Sequence, residues 1–294
     1  MNVILKNEVL TVVIEDAGAQ LASVKNAAGD EYIWKGDPTI WGRHAPLLFP
    51  VISRLKDNQY ILNGKTYTIP QHGFARNKVF RVEEATDSRA VFTLTEDEST
   101  LAVFPFPFKL TVVYELAGND LKKSMTVENR GGETMFYEMG IHDGFTCPHD
   151  ENESMADWAV VIPGEDTFEM YGMDDTAMIT PKDRTVRFPG GRISTQPMVT
   201  HRIDTFILDA PACHKAMLVN KQGQPVVTMD FPGFPYLGIW TTYRDFETRY
   251  VCIEPWSTLP DCTFVGRGLD EKCGICKLEA GEEKTHAYTT TFHT

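Results

Sequence analysis

Hydrophobic and polar residues alternate along much of the chain with a period of two, which is the pattern of a half-buried β-strand. In FKLTVVYEL (108–116) every second residue is apolar. LKKSMTVEN (121–129) repeats this alternation, and the turn-forming residues Ala117-Gly118-Asn119-Asp120 separate the two segments. The pattern therefore predicts an antiparallel hairpin with one face in the core and the other in solvent.

Short runs of the same kind continue towards the C-terminus, and Asn63-Gly64 between YIL and KTYTI marks a second hairpin. No segment combines sustained helical periodicity with a convincing cap. The sequence predicts an all-β protein, a large antiparallel β-sandwich or barrel in which residues 1–294 form a single domain. Residues 146–200 are rich in Asp, Gly and Pro, so we expect long loops there, over one face of the sheets.

The net charge of the chain argues against negatively charged binding partners. The chain carries 28 Lys+Arg against 41 Asp+Glu, a formal net charge of −13, so it repels nucleic acid backbones and anionic membranes. The N-terminal residues lack the pattern of a signal peptide, and no apolar run approaches the ~18–20 residues that span a bilayer. We therefore expect a cytoplasmic protein that binds neither nucleic acid nor membrane.

The six cysteines are scattered, which in a long chain without an export signal indicates reduced thiols. Cys273-Gly-Ile-Cys276 is the one close pair in the sequence. A structural zinc site needs a second pair at similar spacing, and His286 and His293 lie too far apart for that role. The sequence favours a hairpin with two incidental thiols, and no metal is expected.

Four segments combine titratable residues with aromatic residues and turn formers. They are RHAPLLFPVISRLKD (43–57), QHGFAR (71–76), MFYEMGIHDGF (135–145) and YVCIEPW (250–256). A single histidine or glutamate in a β-protein is most often structural. The combination of two His, one Glu and two Arg in segments bounded by Gly and Pro nevertheless indicates a binding or catalytic site.

The strand pattern predicts on which face of a strand two of these side chains lie. In 135–145 the alternation places Glu138 and His142 on the face opposite the apolar one, so His142 is expected to point away from the main core. In 250–256, Cys252 and Glu254 share a face, and Pro255 is expected to end the ladder. A carboxylate that is partly desolvated at a strand end is a better base near neutral pH.

The segments PLLFPVISRLKD, QHGFAR, GIHDGF and CIEPW, in that order, resemble the aldose 1-epimerase (galactose mutarotase-like) family, especially its bacterial branch associated with lactose operons. The resemblance runs from about Leu10 to the C-terminus. It implies a β-sandwich of the supersandwich type, with a sugar or sugar phosphate bound in an open cleft on one concave face. It also implies that no metal or redox cofactor takes part.

Carried over by motif, the resemblance assigns Glu254 as general base, His142 as general acid and His72 as a second active-site histidine. Two positions differ from the related branch. Ser53 stands where Gly is usual, and Asp143-Gly144 replaces Pro-Ala after His142. The second change puts a carboxylate beside the expected acid, so altered substrate choice or lost activity stays open.

For substrate binding, the resemblance assigns hydroxyl contacts to Arg54 and Asp204, and Trp240 or another aromatic residue is expected to stack on the sugar. Arg76, with Lys56, either receives a 6-phosphate or pairs with surface carboxylates such as Asp57. Two other functions remain open. One is a carbohydrate-binding or regulatory protein without turnover, and the other is a glycoside hydrolase, which needs two separated carboxylates. Neither the sugar nor the oligomeric state follows from the sequence.

Overall fold

The computed structural model describes residues 1–149, 152–194, 205–242 and 248–294. Its first twelve strands are β1 (Asn2–Lys6), β2 (Leu10–Glu15), β3 (Gln20–Asn26), β4 (Leu47–Leu48), β5 (Gln59–Leu62), β6 (Lys65–Thr68), β7 (Arg81–Ala85), β8 (Arg89–Thr95), β9 (Phe108–Ala117), β10 (Asp120–Asn129), β11 (Met135–Tyr137) and β12 (Gly140–Ile141). The strands that follow are β13 (Asp143–Thr146), β14 (Ala159–Val161), β15 (Thr167–Met173), β16 (Ile179–Arg187), β17 (Arg192–Ser194), β18 (Thr205–Asp209), β19 (Lys215–Val219), β20 (Pro225–Asp230), β21 (Tyr236–Trp240), β22 (Tyr250–Trp256), β23 (Cys276–Leu278) and β24 (Glu283–Phe292).

Helices are short throughout the described ranges. The α-helix α1 (Glu98–Leu101) has 4 residues, and the remaining helical turns are of the 3₁₀ type. These 3₁₀ turns span Lys56–Asn58, Ala75–Asn77, Met155–Asp157, Pro189–Gly191 and Leu269–Glu271. None of the helices in these ranges is long and apolar enough to cross a membrane.

Two large antiparallel sheets carry most of the strands. A nine-stranded sheet has the order β17-β14-β19-β20-β24-β10-β9-β8-β7, and an eight-stranded sheet has the order β16-β15-β18-β21-β22-β12-β4, with β13 also paired to β22. Buried side chains of both sheets, such as Val112 and Ile253, belong to one hydrophobic cluster. The prediction of an all-β, antiparallel sandwich is therefore confirmed.

Both predicted hairpins form at the predicted turns. Strands β9 and β10 pair Ala117 with Asp120, so Gly118 and Asn119 make a two-residue turn. Strands β5 and β6 are joined by Asn63-Gly64, whose φ angles of 50° and 75° are both left-handed. These are the φ angles that a type I′ turn requires, and Asn-Gly meets them at low cost.

The expectation of long loops across residues 146–200 is wrong for much of that range, because β14, β15, β16 and β17 lie within it. Strand β16 is the edge of the eight-stranded sheet, and most of its side chains are exposed. An edge strand buries little on either face and tolerates a proline such as Pro181, so it lacks an alternating apolar pattern.

The chain between β11 and β13 changes its strand partners, and this overturns part of the predicted geometry. Strand β11 pairs with β23, whereas β12 pairs with β4 and β22. The period of two is interrupted between β11 and β12, and Glu138 in that gap is completely buried. The expected common face of Glu138 and His142 therefore does not exist, because the chain changes its strand partners at Glu138, before β12 and His142.

Pro255 does not end its strand, contrary to expectation. Strand β22 runs on to Trp256, and Pro255 pairs with Leu237 of β21. On the other side of β22, His142 is the unpaired residue between β12 and β13. Gly140 lies opposite Trp256 and Asp143 opposite Ile253, so the register continues across His142 although the hydrogen-bond ladder is interrupted beside Pro255.

The buried face of β10 includes a lysine, which the simple alternation does not predict. Lys123 is 1% exposed, and its ammonium lies 5.3 Å from the centre of the Tyr114 ring. Across the sandwich, Asp143 accepts a hydrogen bond from the Tyr288 hydroxyl. Burial lowers the pKa of Lys123 and raises that of Asp143, while attraction between their opposite charges acts against both shifts. The acidic residue after His142 thus faces a buried cation on the opposite sheet.

We expect Gly73→Ala to destabilise the fold by at least about 2 kcal/mol, because two costs add at this position. Gly73 has φ +68°, and a Cβ atom there would lie 2.2 Å from the Phe49 carbonyl oxygen. Gly64→Ala is the matched control, because Gly64 has φ +75° with nothing within 4 Å. The control should lose only about 1 kcal/mol. Equal losses in urea unfolding of the two variants would contradict the close approach of Gly73 to Phe49.

Candidate active site

A cavity of about 290 Å³ opens beside the eight-stranded sheet. Aromatic and polar side chains from distant parts of the sequence form its walls. The lining residues are Trp41, Pro46, Ser53, Gln71, His72, Arg76, His142, Met173, Ala177, Thr205, Trp240, Glu254, Trp256 and Pro260. Three of the four sequence motifs that carry titratable residues therefore supply His72, His142 and Glu254 to one cavity.

The two titratable groups nearest each other in this cavity are Glu254 and His142. Asp143 pairs with Ile253, so the preceding His142 lies alongside Glu254 of the neighbouring strand. The His142 Nε2 atom is 3.3 Å from the Glu254 Oε1 atom. Both residues are buried, with 7% and 2% of their surfaces exposed. Burial lowers the pKa of His142 to about 3, and the positive charge of Arg76 acts in the same direction.

Aromatic rings enclose the imidazole of His142. The Trp41 ring stacks on it with centroids 5.0 Å apart, and the Trp240 ring meets it edge-on at 5.2 Å. Gly144 makes room for this stack, because a Cβ atom there would lie 2.7 Å from Trp41 Cζ3. The absence of a side chain at Gly144 therefore lets the indole of Trp41 pack against His142.

His72 is oriented by the backbone of Ser53. The Ser53 N–H donates to His72 Nδ1 at 3.0 Å, and the His72 N–H donates to the Ser53 carbonyl oxygen at 2.7 Å. Because Nδ1 accepts, the proton of the neutral ring lies on Nε2. Burial lowers the pKa of His72 well below its usual value, with further contributions from His142, Arg76 and Arg43. His72 therefore presents a neutral imidazole whose Nε2–H can donate a hydrogen bond.

Arg76 brings positive charge to the cavity wall. Its Nη2 donates to the Gln71 carbonyl oxygen at 2.7 Å. Burial and the nearby charge of Arg43 lower the pKa of Arg76 to about 10, so the guanidinium stays charged at neutral pH. Within the described ranges its Nε atom has no hydrogen-bond partner, and no carboxylate lies within 4.0 Å of its guanidinium nitrogens.

A model of the aldose 1-epimerase family matches residues 1–272 of the chain. The chain belongs to the aldose 1-epimerase family. A galactose mutarotase related enzyme of Lactobacillus acidophilus has a TM-score of 0.93 and 34% identity, covering 100% of this chain and 98% of that one. A galactose mutarotase-like protein of Lactobacillus casei has a TM-score of 0.88 and 30% identity, covering 100% of both chains.

The LacX protein of Lactococcus lactis subsp. lactis, in its plasmid and chromosomal forms, is 28% identical over 298 residues, which is 99% of each chain. The family indicated by the four motifs is therefore confirmed. The LacX relatives agree with the branch that those motifs indicated.

The remaining residues assigned from the family motifs lie in different places. Trp240 lines the cavity. Arg54 and Lys56 have exposed side chains and do not belong to the cavity lining, although Ser53 beside them does. Asp204 lies outside the described residues, and its neighbour Thr205 lines the cavity.

The alternative in which Arg76 and Lys56 pair with surface carboxylates has no support among the residues that the structure describes. Asp57, named as their partner, pairs instead with Arg267. Among the described residues, neither Arg76 nor Lys56 has a carboxylate within salt-bridge distance.

Sequence reasoning missed two residues that matter for the geometry. Trp41 stacks on His142, although it lies in a Gly- and Pro-rich stretch without strand periodicity. The one feature of the sequence that places Trp41 near the site is its position just before the RHAPLLFP motif. The QHGFAR motif alone gives Gln71 no role, and the structure places its side-chain amide 3.4 Å from His72 Nε2.

One group of side chains in the described ranges has the spacing of metal ligands. Ligand atoms of His142, Cys252 and Glu254 all lie within 4.8 Å of one another. Burial raises the pKa of the Cys252 thiol well above its usual value, with Glu254 and Asp143 adding to the shift. A thiol that resists ionisation is a poor zinc ligand, so the group is better suited to proton transfer.

We expect His142 to stay neutral in the free protein from pH 8 to pH 5. Its lowered pKa favours the neutral ring in the folded state, so this contribution to stability is present above about pH 6.5. The contribution is lost as pH falls towards the folded-state value. Ring ¹⁵N NMR of histidine-labelled protein measures this, with His142→Asn identifying the signal. A titration midpoint between pH 6 and pH 7 would contradict the burial effect.

Proposed function

We propose that this protein is an aldose 1-epimerase that interconverts the α and β anomers of a hexose or hexose phosphate. The observation that carries the proposal is the buried contact between Glu254 Oε1 and His142 Nε2, 3.3 Å apart in the wall of a cavity. Family membership makes a mutarotase-type reaction the natural chemistry for this pair. The cavity volume of about 290 Å³ suits one small ligand.

The reaction needs a base and an acid on one sugar. Glu254 removes the proton from O1 of the cyclic hemiacetal while His142 protonates the ring oxygen, and the ring opens. C1 then rotates about the C1–C2 bond, and closure on the other carbonyl face reverses the two roles. Proton transfer of this kind contributes about 10²–10⁴-fold to the rate, and it requires no metal or redox cofactor.

Because the Glu254–His142 pair is buried, its net charge depends on how many protons it holds, and a net charge there is costly. Protonated Glu254 with neutral His142, and the carboxylate with the imidazolium, are two forms of one singly protonated pair. Both forms carry no net charge, and a site that excludes water disfavours any net charge. We therefore propose that the pair holds one proton and that this proton lies on His142 when the sugar is bound.

The other residues of the site position the sugar. His72 donates from Nε2 to a sugar oxygen, and Trp240 or Trp41 packs against the apolar face of the ring. Arg54, Lys56 and Asp204 stay proposed substrate contacts, which for Arg54 and Lys56 requires the side chain to reach towards the cavity.

Two alternative functions make different demands on these residues. A carbohydrate-binding protein without turnover does not need the close contact between Glu254 and His142. A glycoside hydrolase needs two carboxylates flanking the sugar. Among the described lining residues, Glu254 is the one carboxylate. Glu138 lies outside this lining, and its carboxylate accepts a buried hydrogen bond from the Ile52 N–H. Epimerisation therefore has the better support.

We expect Glu254→Gln to reduce catalysed anomer exchange by about 10²–10⁴-fold while sugar binding stays within several-fold. The amide keeps the shape of the side chain but cannot take the proton from O1. Exchange NMR on a panel of free and 6-phosphorylated aldoses measures turnover, and calorimetry measures binding. His142→Asn should behave in the same way. A wild-type protein that binds sugars without exchanging anomers would support the non-catalytic alternative.

The charge around the cavity supports a phosphorylated substrate within this proposal. Arg76 is a charged cavity residue whose Nε atom has no hydrogen-bond partner in the described structure. Arg43 lies close enough to lower its pKa. The planar guanidinium of arginine matches phosphate in a bidentate manner. We propose that Arg76 receives the 6-phosphate of a hexose.

We expect Arg76→Ala to weaken binding of a hexose 6-phosphate by roughly 10- to 150-fold and to change binding of the free hexose little, because a hydrogen bond to a charged group contributes about 1.5–3 kcal/mol. Arg81→Ala is the matched control. Arg81 is 79% exposed and pairs with Glu83 on the nine-stranded sheet. Equal losses for the two substrates, or a wild-type preference for the free sugar, would contradict the phosphate proposal but not the epimerase proposal.

A further inference from the structure

Glu138 lies in the gap between β11 and β12. It is hydrogen-bonded to the loop of residues 50–56, here called the Ser53 loop. The side chain is completely buried. Its Oε2 accepts from the Ile52 N–H at 2.6 Å, and its own backbone N–H donates to the Pro50 carbonyl oxygen at 2.8 Å. One residue therefore binds the first part of this loop in two ways.

A second buried carboxylate holds the other end of the Ser53 loop. Asp261 Oδ2 accepts from the Lys56 N–H at 2.8 Å. The ammonium of Lys272 lies 2.7 Å from Asp261 Oδ1 and 3.8 Å from Glu138 Oε1, and it is also buried. One cation thus connects the two carboxylates that bind the ends of the loop.

Between these ends, Ser53 makes the two backbone hydrogen bonds that orient His72. Ser53 and His72 have φ angles of 55° and 61°, in the left-handed region that other residues than glycine seldom adopt. Such backbone persists only where the surroundings hold it. The two carboxylates therefore hold the loop on either side of the Ser53 N–H that donates to His72 Nδ1.

We propose that Glu138 is a positioning residue: through the Ser53 loop it fixes the ring orientation and the Nε2–H tautomer of His72. Glu138 does not belong to the cavity lining, so its effect on the sugar is indirect. Burial raises the pKa of Glu138 to about 7, although Lys272 and the Ile52 N–H favour its charged form. A buried ion pair is weak evidence for stability, so the role that we assign to Glu138 is geometric.

The test compares Glu138→Leu, which removes the hydrogen-bond acceptor, with Glu138→Gln, which keeps one. Ring ¹⁵N NMR of histidine-labelled protein reports the tautomer of His72, whose signals are identified with His72→Asn. In the leucine variant we expect the single Nε2–H tautomer to be lost and kcat/KM to fall by about 10²-fold, because small misplacements of a positioning group have costs of this size. The glutamine variant should restore most of both.

Asn129→Leu is the control for a general loss of stability. Asn129 is also completely buried, and its side-chain amide donates to the carbonyl oxygens of Glu133 and Leu278, away from the Ser53 loop. This variant should lower the melting temperature while leaving the His72 signals and kcat/KM unchanged.

The proposal is overturned if folded Glu138→Leu keeps the wild-type tautomer of His72, or if Asn129→Leu changes that tautomer equally. If Glu138→Leu does not fold, Asp261→Ala carries the same test, because it frees the other end of the Ser53 loop. The kinetic readout rests on the proposed epimerase function, whereas the NMR readout does not. If the wild type does not exchange anomers, the proposed epimerase function is wrong. The NMR spectra of the Glu138 variants then still test the positioning role of Glu138.

Discussion

The contact between Glu254 and His142 is the interaction on which the rest of the site depends. The carboxylate and the imidazole lie 3.3 Å apart, and both are nearly excluded from solvent, an environment that disfavours net charge on the pair. The contact arises because β12 and β13 follow one antiparallel register on β22, with Gly140 opposite Trp256 and Asp143 opposite Ile253. The same register places His142 opposite Glu254, so strand pairing brings the proposed acid and base side by side.

The two histidines of the site are held by different physical means. His142 is fixed by packing, because the ring of Trp41 stacks on it in space that Gly144 provides. His72 is fixed by hydrogen bonds from a loop whose own backbone is strained. Packing excludes water and keeps the first ring neutral, whereas the hydrogen bond to Nδ1 selects the tautomer of the second. The same residue type therefore serves two roles through two environments.

Much of the fold follows from the sequence, because alternation and Asn-Gly turns are local signals. The pair β9–β10 and the hairpin at Asn63-Gly64 are examples. The edge strand β16 was missed because its exposed side chains need no apolar pattern. The motifs identified His72, His142 and Glu254, which converge on one cavity.

Other features could not be predicted because they depend on tertiary partners. The stacking of Trp41 on His142 depends on a glycine about a hundred residues away, and the burial of Glu138 depends on Lys272 and the Ile52 N–H. The exposure of Arg54 was not predicted either, since the motif fixes its position in the sequence but not the direction of its side chain.

The positions where this chain differs from the related branch leave the proposed acid and base in contact. Ser53 binds His72 through two backbone hydrogen bonds, and its φ of 55° lies in a region that glycine adopts at low cost. Asp143 is buried against Tyr288 and faces the charge of Lys123 on the opposite sheet, so it does not compete with Glu254 for the cavity. Because a strand directs successive side chains to opposite sides, His142 reaches the cavity only if Asp143 enters the sandwich. The Tyr288 hydroxyl and the charge of Lys123 therefore offset part of the cost of burying the acidic residue that follows the proposed general acid.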